Sequence, residues 1–307
     1  MRSTQHIIKQ DGATTISAGT IILYIIAILV IAMFLLNFLS VVGVGGCVGV
    51  IEVNGEISTS KGYGLVSSSE IISLLKEVES RPDIRSVVLV MNTPGGSAVA
   101  SNEIYLYLKG MKKPTVTYIS EMATSGGYFI SLGTDYIYSN PYAVTGSIGA
   151  RTGWVIDMSR WLNNTGINMS VIKSGEMKDS GDIYRPMTEE EKKVFQEIID
   201  EIGGSFLNLT ISERSKNARF SQNSISLISD ARIFTGKQAF EIGLVDELGT
   251  RQDAINKAAA MGGLDQSPSI CVLETKKDFL STMFNEMGRG IGETLSNKLS
   301  FNSLRIQ

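Results

Sequence analysis

The hydrophobic pattern begins with one long apolar segment near the N-terminus. No charged residue lies between Asp11 and Glu52, and residues 21–44 consist largely of Ile, Leu, Val, Met and Phe. A helix of about 20 such residues spans the roughly 30 Å of a bilayer's hydrocarbon core. A cleavable secretory signal has a shorter apolar core and an Ala-X-Ala-like cleavage site, and neither is present. We therefore expect an uncleaved transmembrane anchor at residues 20–44, preceded by a cytoplasmic tail at residues 1–19.

After the anchor, short apolar runs alternate with amphipathic stretches. Continuous apolar runs, typical of strands buried on both faces, occupy residues 48–53, 86–91 and 114–119. Apolar positions at helical spacing predict helices at residues 67–79, 98–111 and 188–214, and a further αβ unit is expected at 234–262. Strands that alternate with helices imply right-handed crossovers and a mostly parallel sheet. We expect one α/β domain at residues 45–275, followed by a polar, amphipathic C-terminal tail at 276–307.

Composition and charge favour a compact folded domain and exclude several partners. Apolar residues make up 43% of the chain and charged residues 19%, and the net charge is −3. Because Lys and Arg form no cluster, a nucleic-acid partner is not expected. Two cysteines and one histidine are too few for a soft metal site, and we expect no metal and no cofactor. We expect Cys47 and Cys271 to be small apolar residues, and whether they pair stays open.

Basic residues near the anchor indicate its orientation. Arg2 and Lys9 precede the apolar segment, whereas the first basic residue after it is Lys61. Positive charge beside a membrane-spanning helix favours the cytoplasmic side. We therefore expect a single-pass protein of the cell membrane, with a cytoplasmic N-terminus and an extracytoplasmic domain.

The single histidine limits the catalytic chemistry that the domain can use. His6 lies before the anchor, so we expect it on the other side of the membrane from the domain. A Ser-His-Asp triad and a Cys-His pair are both excluded within this chain for that reason. A hydrolase with a nucleophilic side chain needs another base, and lysine is the obvious candidate because burial can leave its amine neutral.

Four polar segments that contain glycine are candidates for a catalytic site. Ser125 precedes two glycines where a short helix is expected, so its hydroxyl would be unobstructed and near helix N-terminal amides. Ordinary helix capping would also explain this serine. Glycine amides after a buried strand would suit an oxyanion hole, but a plain turn contains them too. The four segments are Asn92–Gly96, Ala123–Tyr128, Thr145–Gly149 and Lys173–Asp179.

In this order the segments resemble the signal peptide peptidase A family, a branch of the Clp-protease/crotonase superfold. The resemblance covers roughly residues 48–262 and includes a fifth motif, Gly243–Gly249. Each motif is common by itself, whereas five in the family's order are specific. The resemblance implies a Clp-protease/crotonase-like ββα superhelix with a mostly parallel sheet, preceded by one transmembrane helix. It also implies a homo-oligomeric ring, in which serine and lysine can come from neighbouring subunits.

The resemblance implies roles for individual residues of a serine peptidase with a Ser/Lys dyad. Ser125 would be the nucleophile and Lys178 the general base. Ser147 would hydrogen-bond the lysine. The oxyanion would be held by the backbone amides of Gly95, Gly96 or Gly126.

Two residues near Lys178 qualify its assignment as the base. Asp179 would favour the charged ammonium if it pointed inward, so we expect its side chain to point away from Lys178. Lys173 is the alternative base, although a solvated loop lysine is the simpler interpretation of that residue.

The function implied by the resemblance is the degradation of remnant signal peptides or other hydrophobic, membrane-associated peptides. A related alternative is the membrane peptidase that partners stomatin-like proteins, but such proteins typically carry a further spanning region, and no second apolar run of about 20 residues is present. Acyl-CoA chemistry on the same superfold conflicts with the expected location. A catalytically inactive peptide-binding scaffold would have lost Ser125 or Lys178, and both are present.

Overall fold

The protein forms two units, one ending at Gly46 and the other beginning at Cys47. The computed structural model describes residues 18–41, 45–62, 64–265 and 267–274. The first unit contains helix α1, Ala18–Val41. Its segment Ala18–Leu36 is long and apolar enough to cross a membrane, and none of it is buried inside the protein. Helix α1 overlaps the predicted anchor at 20–44 but begins two residues earlier. Residues 1–17 of the predicted N-terminal tail, residues 42–44 of the anchor and the whole predicted C-terminal tail lie outside the described residues.

The second unit is built around a mostly parallel sheet. Its strands are β1 (Cys47–Asn54), β2 (Glu56–Ser58), β3 (Leu65–Ser67), β4 (Ile84–Thr93), β5 (Thr115–Thr124), β6 (Tyr136–Ser139), β7 (Val144–Gly146), β8 (Ile233–Thr235), β9 (Glu247–Leu248) and β10 (Ser269–Leu273). Among the described residues, eight of these strands form the main sheet, with the order β10-β1-β4-β5-β6-β9 and with β7 paired to β5 and to β8. Strands β2 and β3 form a separate parallel pair.

Helices cover both faces of the main sheet. They are α2 (Ser68–Ser80), α3 (Ala98–Lys109), α4 (Gly126–Ser131), α5 (Ser159–Asn164), α6 (Glu189–Arg214), α7 (Gln222–Ile228), α8 (Gly236–Glu241) and α9 (Arg251–Met261). Side chains alternate across a strand, so β1 sends Ile51 and Val53 into one core cluster and Val48 and Val50 into another. Helix α2 packs on the first cluster and α9 on the second. Strands buried on both faces explain the continuous apolar runs in the sequence.

The predicted strands and helices are confirmed, with boundaries that shift by a few residues. The helix expected at 188–214 is α6, and Thr188 caps it: its Oγ1 accepts from the Glu191 N–H, while the Glu191 carboxylate accepts from the Thr188 N–H. The mostly parallel sheet is also confirmed. The pattern did not predict the antiparallel pair of β7 and β8, because each of these strands has only three residues.

The sequence left open whether the two cysteines pair, and the structure shows that they are not merely small apolar residues. Cys47 and Cys271 form a disulfide, with their Cα atoms 5.8 Å apart and a sequence separation of 224. The bond joins β1 to β10, which pair in parallel with Gly49 opposite Cys271. The two cysteines are far apart in sequence, and only the pairing of β1 with β10 brings them into contact.

Residues 150–184, here called the arm, form the least buried part of the second unit. Only Leu162 and Asp179 are buried within it. Large apolar side chains are exposed along its length, including Trp154 at 88% and Ile172 at 104%. An exposed apolar surface of this extent is characteristic of a region that a partner covers.

Candidate active site

Ser125 lies at the turn between β5 and α4, at the carboxyl edge of the sheet. It is the N-cap residue of α4, with φ 52° and ψ −120°. Its N–H donates to the Gly146 carbonyl of β7 at 2.9 Å, which fixes the turn against the neighbouring strand. Positive φ is uncommon outside glycine and persists where the surrounding structure enforces it, often at functional sites. The turn thus holds a partly exposed serine in a strained conformation.

The loop that follows β4, here called the glycine loop (residues 94–97), packs directly against Ser125. A Cβ atom added to Gly95 would lie 2.9 Å from the Ser125 Cβ and 2.7 Å from the Gly126 nitrogen. On the other side of the loop, the Ile57 N–H donates to the Gly95 carbonyl at 2.8 Å. The loop is therefore held between Ile57 and the turn at Ser125, closer to that turn than a side chain at position 95 would allow.

Two neighbouring backbone amides lie beside Ser125 without a partner. In the part of the chain that the structure describes, neither the Gly96 N–H nor the Gly126 N–H makes a hydrogen bond. A Cβ atom added to Gly126 would lie 3.3 Å from the Gly96 nitrogen, so the two amides are close. The Gly95 N–H differs, because it donates to Thr93 Oγ1 at 3.1 Å. A pair of unbonded amides beside a nucleophile can stabilise a negatively charged oxygen.

Ser147 directly follows β7, the strand that pairs with the end of β5 before Ser125. Strands β5 and β7 are parallel and pair Thr124 with Gly146, so the following residues of the two strands are Ser125 and Ser147. Ser147 also has a positive φ, 53°. Its N–H donates to the Arg232 carbonyl at 2.9 Å. The structure therefore brings both serines and the glycine loop to one place.

Lys178 is not bonded to these residues within a single chain. It lies in a short 3-10 helix, Glu176–Asp179, and its side chain is exposed. Across the described ranges, no hydrogen bond or ion pair joins Lys178 to Ser125 or Ser147. A dyad of Ser125 and Lys178 would therefore require Lys178 to contact the Ser125 of another copy of the chain, or a different position of this segment.

The Asp179 carboxylate contacts residues other than Lys178, as expected from the sequence. It accepts from Arg185 Nη2 at 2.6 Å and from Lys173 Nζ at 2.7 Å, and the Tyr184 hydroxyl also donates to it. These donors, the Arg185 guanidinium first, hold the pKa of the Asp179 carboxyl well below its usual range. Lys173, the alternative base, is thus engaged in an ion pair.

The fifth motif, Gly243–Gly249, supports α4, the helix that follows Ser125. The buried Tyr128 hydroxyl of α4 donates to the Leu244 carbonyl at 2.8 Å. Arg214 of α6 donates to the Gly243 carbonyl at 2.9 Å and pairs with Asp246 at 2.6 Å. The sequence revealed this motif but not its contacts. The bonds to Gly243 and Asp246 come from Arg214, about 30 residues earlier, so they could not be read from the motif itself. Sequence reasoning did not identify Arg185 either, because an arginine near a helix start is an ordinary feature.

Comparison with known proteins places these motifs in a defined family. The model of peptidase family S49 matches residues 108–265, and the Clp protease model matches residues 51–143. A putative protease of Methanocaldococcus jannaschii is 33% identical over 234 residues, which are 73% of this chain and 72% of the relative. A putative signal peptide peptidase SppA of Enterococcus faecium is 31% identical over 251 residues, covering 79% of this chain and 71% of the relative.

A solved structure agrees with the observed fold. The membrane-bound stomatin-specific protease 1510-N superposes with a TM-score of 0.50 at 15% identity, covering 75% of this chain and 99% of that one. At this identity the likeness concerns the fold alone. The match to the Clp protease model indicates that the fold is of the Clp-protease type. The family assignment rests on the sequence matches. The S49 match at residues 108–265 spans the serine turn at Ser125, the 3-10 helix Glu176–Asp179 (here called the lysine turn) and the fifth motif. On these matches the chain is a protease, and it belongs to peptidase family S49.

Proposed function

We propose that this protein is a serine endopeptidase in which Ser125 is the nucleophile and Lys178 the general base. The observation that carries the proposal is the geometry at Ser125, whose positive φ presents it beside the unbonded amides of Gly96 and Gly126. A capping serine needs neither feature, whereas an acyl-transfer site needs an accessible nucleophile beside free N–H donors.

The proposed reaction is an acyl transfer in two halves. Neutral Lys178 takes the Ser125 Oγ proton as Oγ attacks the peptide carbonyl carbon, and the N–H groups of Gly96 and Gly126 bind the oxygen that becomes negative. The tetrahedral intermediate expels the amine, which receives the proton from Lys178. Water then attacks the acyl-enzyme with Lys178 as base again, releasing the acid and restoring Ser125. Gly95 contributes by letting the loop approach Ser125, since its own N–H is bonded to Thr93.

We propose that Lys178 reaches Ser125 of a neighbouring copy in a homo-oligomeric ring. The exposed lysine and the exposed apolar residues of the arm support this arrangement, because both lie on one segment that packs on little of its own chain. Ser147 would then accept or donate a hydrogen bond to the incoming lysine beside the nucleophile. A monomer would have the serine turn without its base.

We propose that α1 anchors the protein in the cell membrane with the peptidase domain outside. Two independent observations support the orientation. Arg2 and Lys9 favour a cytoplasmic N-terminus. The Cys47–Cys271 disulfide requires an oxidising environment, and disulfides are rare in the reducing cytosol.

The proposed substrates are remnant signal peptides and other hydrophobic peptides that membranes release. The proposal draws on the printed name of the Enterococcus faecium relative, a putative signal peptide peptidase. A domain tethered by a short connection to a membrane helix would meet such peptides as they leave the bilayer.

The decisive test is peptidase activity of the full chain in detergent, assayed on a fluorogenic peptide with an apolar P1 residue. Wild type, Ser125→Ala and Lys178→Ala are compared, with oligomer size measured for each. We expect both substitutions to lower kcat by about 1,000-fold or more, because nucleophile and base act as a unit. Activity that survives Lys178→Ala would refute the dyad. An assembled but inactive wild type would favour a peptide-binding scaffold.

Mixing the two inactive variants tests the shared site. If Ser125 and Lys178 come from different copies, a mixed ring contains some sites with both intact residues. We expect co-assembled Ser125→Ala and Lys178→Ala chains to regain part of the activity, measured after dissociation and joint reassembly. Continued inactivity of a mixed ring would place both residues of each site in one copy.

A further inference from the structure

A compact group of charged residues surrounds the turn that carries Lys178. Arg185 Nη2 donates to Asp179 at 2.6 Å, and Arg185 Nη1 donates to Glu191 at 2.9 Å. Asp179 is 6% exposed and Glu191 is 3% exposed, so both carboxylates are removed from water. Lys173 adds a second cation, bound to Asp179 at 2.7 Å. We call these four residues the charge cluster; its formal charges of two acids and two bases cancel.

The charge cluster connects the lysine turn to the start of α6. Asp179 is the last residue of the 3-10 helix and follows Lys178 directly. Glu191 lies in the first turn of α6 and accepts from the Thr188 N–H at 2.8 Å. Arg185 bridges the two carboxylates with its planar fork, a geometry that an ammonium group cannot reproduce. The position of the turn is therefore fixed by a charged bridge as well as by the peptide chain.

The rest of the turn is held by the same group. Lys173 Nζ also donates to the Glu176 carbonyl at 2.9 Å, which closes the turn from its entry side. Ser180 Oγ donates to the Glu191 carboxylate at 3.0 Å on its exit side. Lys178 thus projects from a segment with bonds before and after it, while its own side chain is exposed and makes no ion pair with the cluster.

We propose that Arg185 is a positioning residue for catalysis, through two effects on Lys178. Its hydrogen bonds to Asp179 and Glu191 fix the orientation of the lysine turn, and its positive charge offsets these two carboxylates next to that turn. This inference rests on the proposed function, in which Lys178 must be neutral to accept a proton. Without Arg185, Lys173 would compensate only one of the two carboxylates, and the net negative charge left beside the turn would favour the charged ammonium and so disfavour the base.

The neighbouring titratable groups do not replace this compensation. Arg185 lowers the pKa of Glu191 to about 2, with help from the Thr188 N–H, so both acids of the cluster stay ionised at neutral pH. Tyr184 donates a hydrogen bond to Asp179 but carries no positive charge. The other charged groups on the adjoining turns are exposed: Glu176, Asp182, Glu189, Glu190 and Lys192.

The test compares pH–rate profiles of the full chain in detergent for wild type, Arg185→Met and Arg185→Lys. For Arg185→Met we expect kcat to fall about 10-fold or more with little change in KM, and the acid limb of the profile to move up by about one pH unit. For Arg185→Lys, which keeps the charge but loses the fork, we expect a lower kcat with the acid limb near its wild-type position.

Lys192→Met is the matched control. It removes a cation from the same end of α6, but one whose partner Glu189 is exposed at 89%. We expect its profile to match wild type, because solvated pairs contribute little. Oligomer size is recorded for every variant so that assembly defects are recognised.

Two outcomes would overturn the positioning role. One is an assembled Arg185→Met enzyme with the wild-type kcat and acid limb. The other is Arg185→Lys with full kcat, which applies even if Arg185→Met does not fold. Lys178→Ala is assayed alongside, so that loss of its activity with unaffected Arg185 variants refutes the positioning role alone and leaves the dyad intact.

Discussion

Three of the four non-glycine residues with positive φ in the described part of the chain lie around the turn at Ser125. Ser125 and Ser147 directly follow the paired ends of β5 and β7. Ala231, with φ 59°, precedes the residue whose carbonyl accepts the Ser147 N–H. Each such conformation costs on the order of 1–3 kcal/mol outside glycine. Stability that the rest of the fold provides is thus used to hold the two serines in position.

The strain at Ser125 predicts an order of stability for two inactive variants. Glycine adopts a positive φ without steric strain, whereas alanine keeps the strain of the native serine. We expect Ser125→Gly to unfold at higher urea concentration than Ser125→Ala, with a difference of about 1 kcal/mol after the greater entropy of unfolded glycine is counted. Equal stability of the two, or a more stable alanine variant, would mean that the turn is relaxed.

At the residue scale, sequence reasoning identified the segments of the site but not their contacts. The order of the glycine, serine and lysine segments led to Ser125, Ser147 and the glycine loop, which the structure brings together. The bond from the Gly95 N–H to Thr93 could not be predicted, because it depends on a side-chain rotamer. The bridge made by Arg185 could not either, since nothing in the sequence distinguishes it from a solvated arginine.

At the scale of elements, long elements with a strong period were predictable and short ones were not. Strands β1, β4 and β5 and helices α2, α3 and α6 follow from runs of apolar residues at fixed spacing. Strand β10 escaped prediction, since three of its five residues are exposed and its partner β1 lies more than 200 residues earlier. The disulfide escaped for the same reason.

Strand β10 is an edge strand, and the disulfide ties it to β1. For the Cys47→Ser, Cys271→Ser double variant we expect the free energy of unfolding to fall by about 2–5 kcal/mol, because the bond restricts the unfolded chain. Urea unfolding of wild type with and without reductant provides the comparison.

The same pair reports the compartment of the domain. Alkylation of thiols in intact cells, followed by reduction and a mass tag, should show the wild-type cysteines oxidised. Free thiols in the trapped protein would contradict the proposed extracytoplasmic orientation.

At the scale of the whole molecule, the arm is the part least explained by a single copy of the chain. Leu162 and Asp179 are its only buried residues, and it carries several exposed large apolar side chains. A segment with so little core of its own gains stability from contact with something else. The pattern of the sequence did not reveal this, because apolar residues look alike whether they face a core or a partner.

Because the proposed contact between copies involves the apolar residues of the arm, a charge introduced there should weaken assembly. We expect Trp154→Glu and Ile172→Glu to shift the protein in detergent towards monomers and to lower its activity about as far as Lys178→Ala does. Leu106→Glu is the control, since Leu106 on α3 is also exposed, at 59%, but lies outside the arm. Sedimentation velocity measures the size. Full assembly of both arm variants would mean that the ring is formed by another surface.

The Cys47–Cys271 bond closes residues 47–271 into a covalent loop that contains the serine turn, the lysine turn and the arm. A single cut in the arm opens this loop, but the disulfide keeps the two fragments joined. A peptidase is always exposed to cleavage by its own copies, and exposed segments are cut first. One such nick would leave the domain in one piece, and only an electrophoresis gel run with reductant would separate its halves.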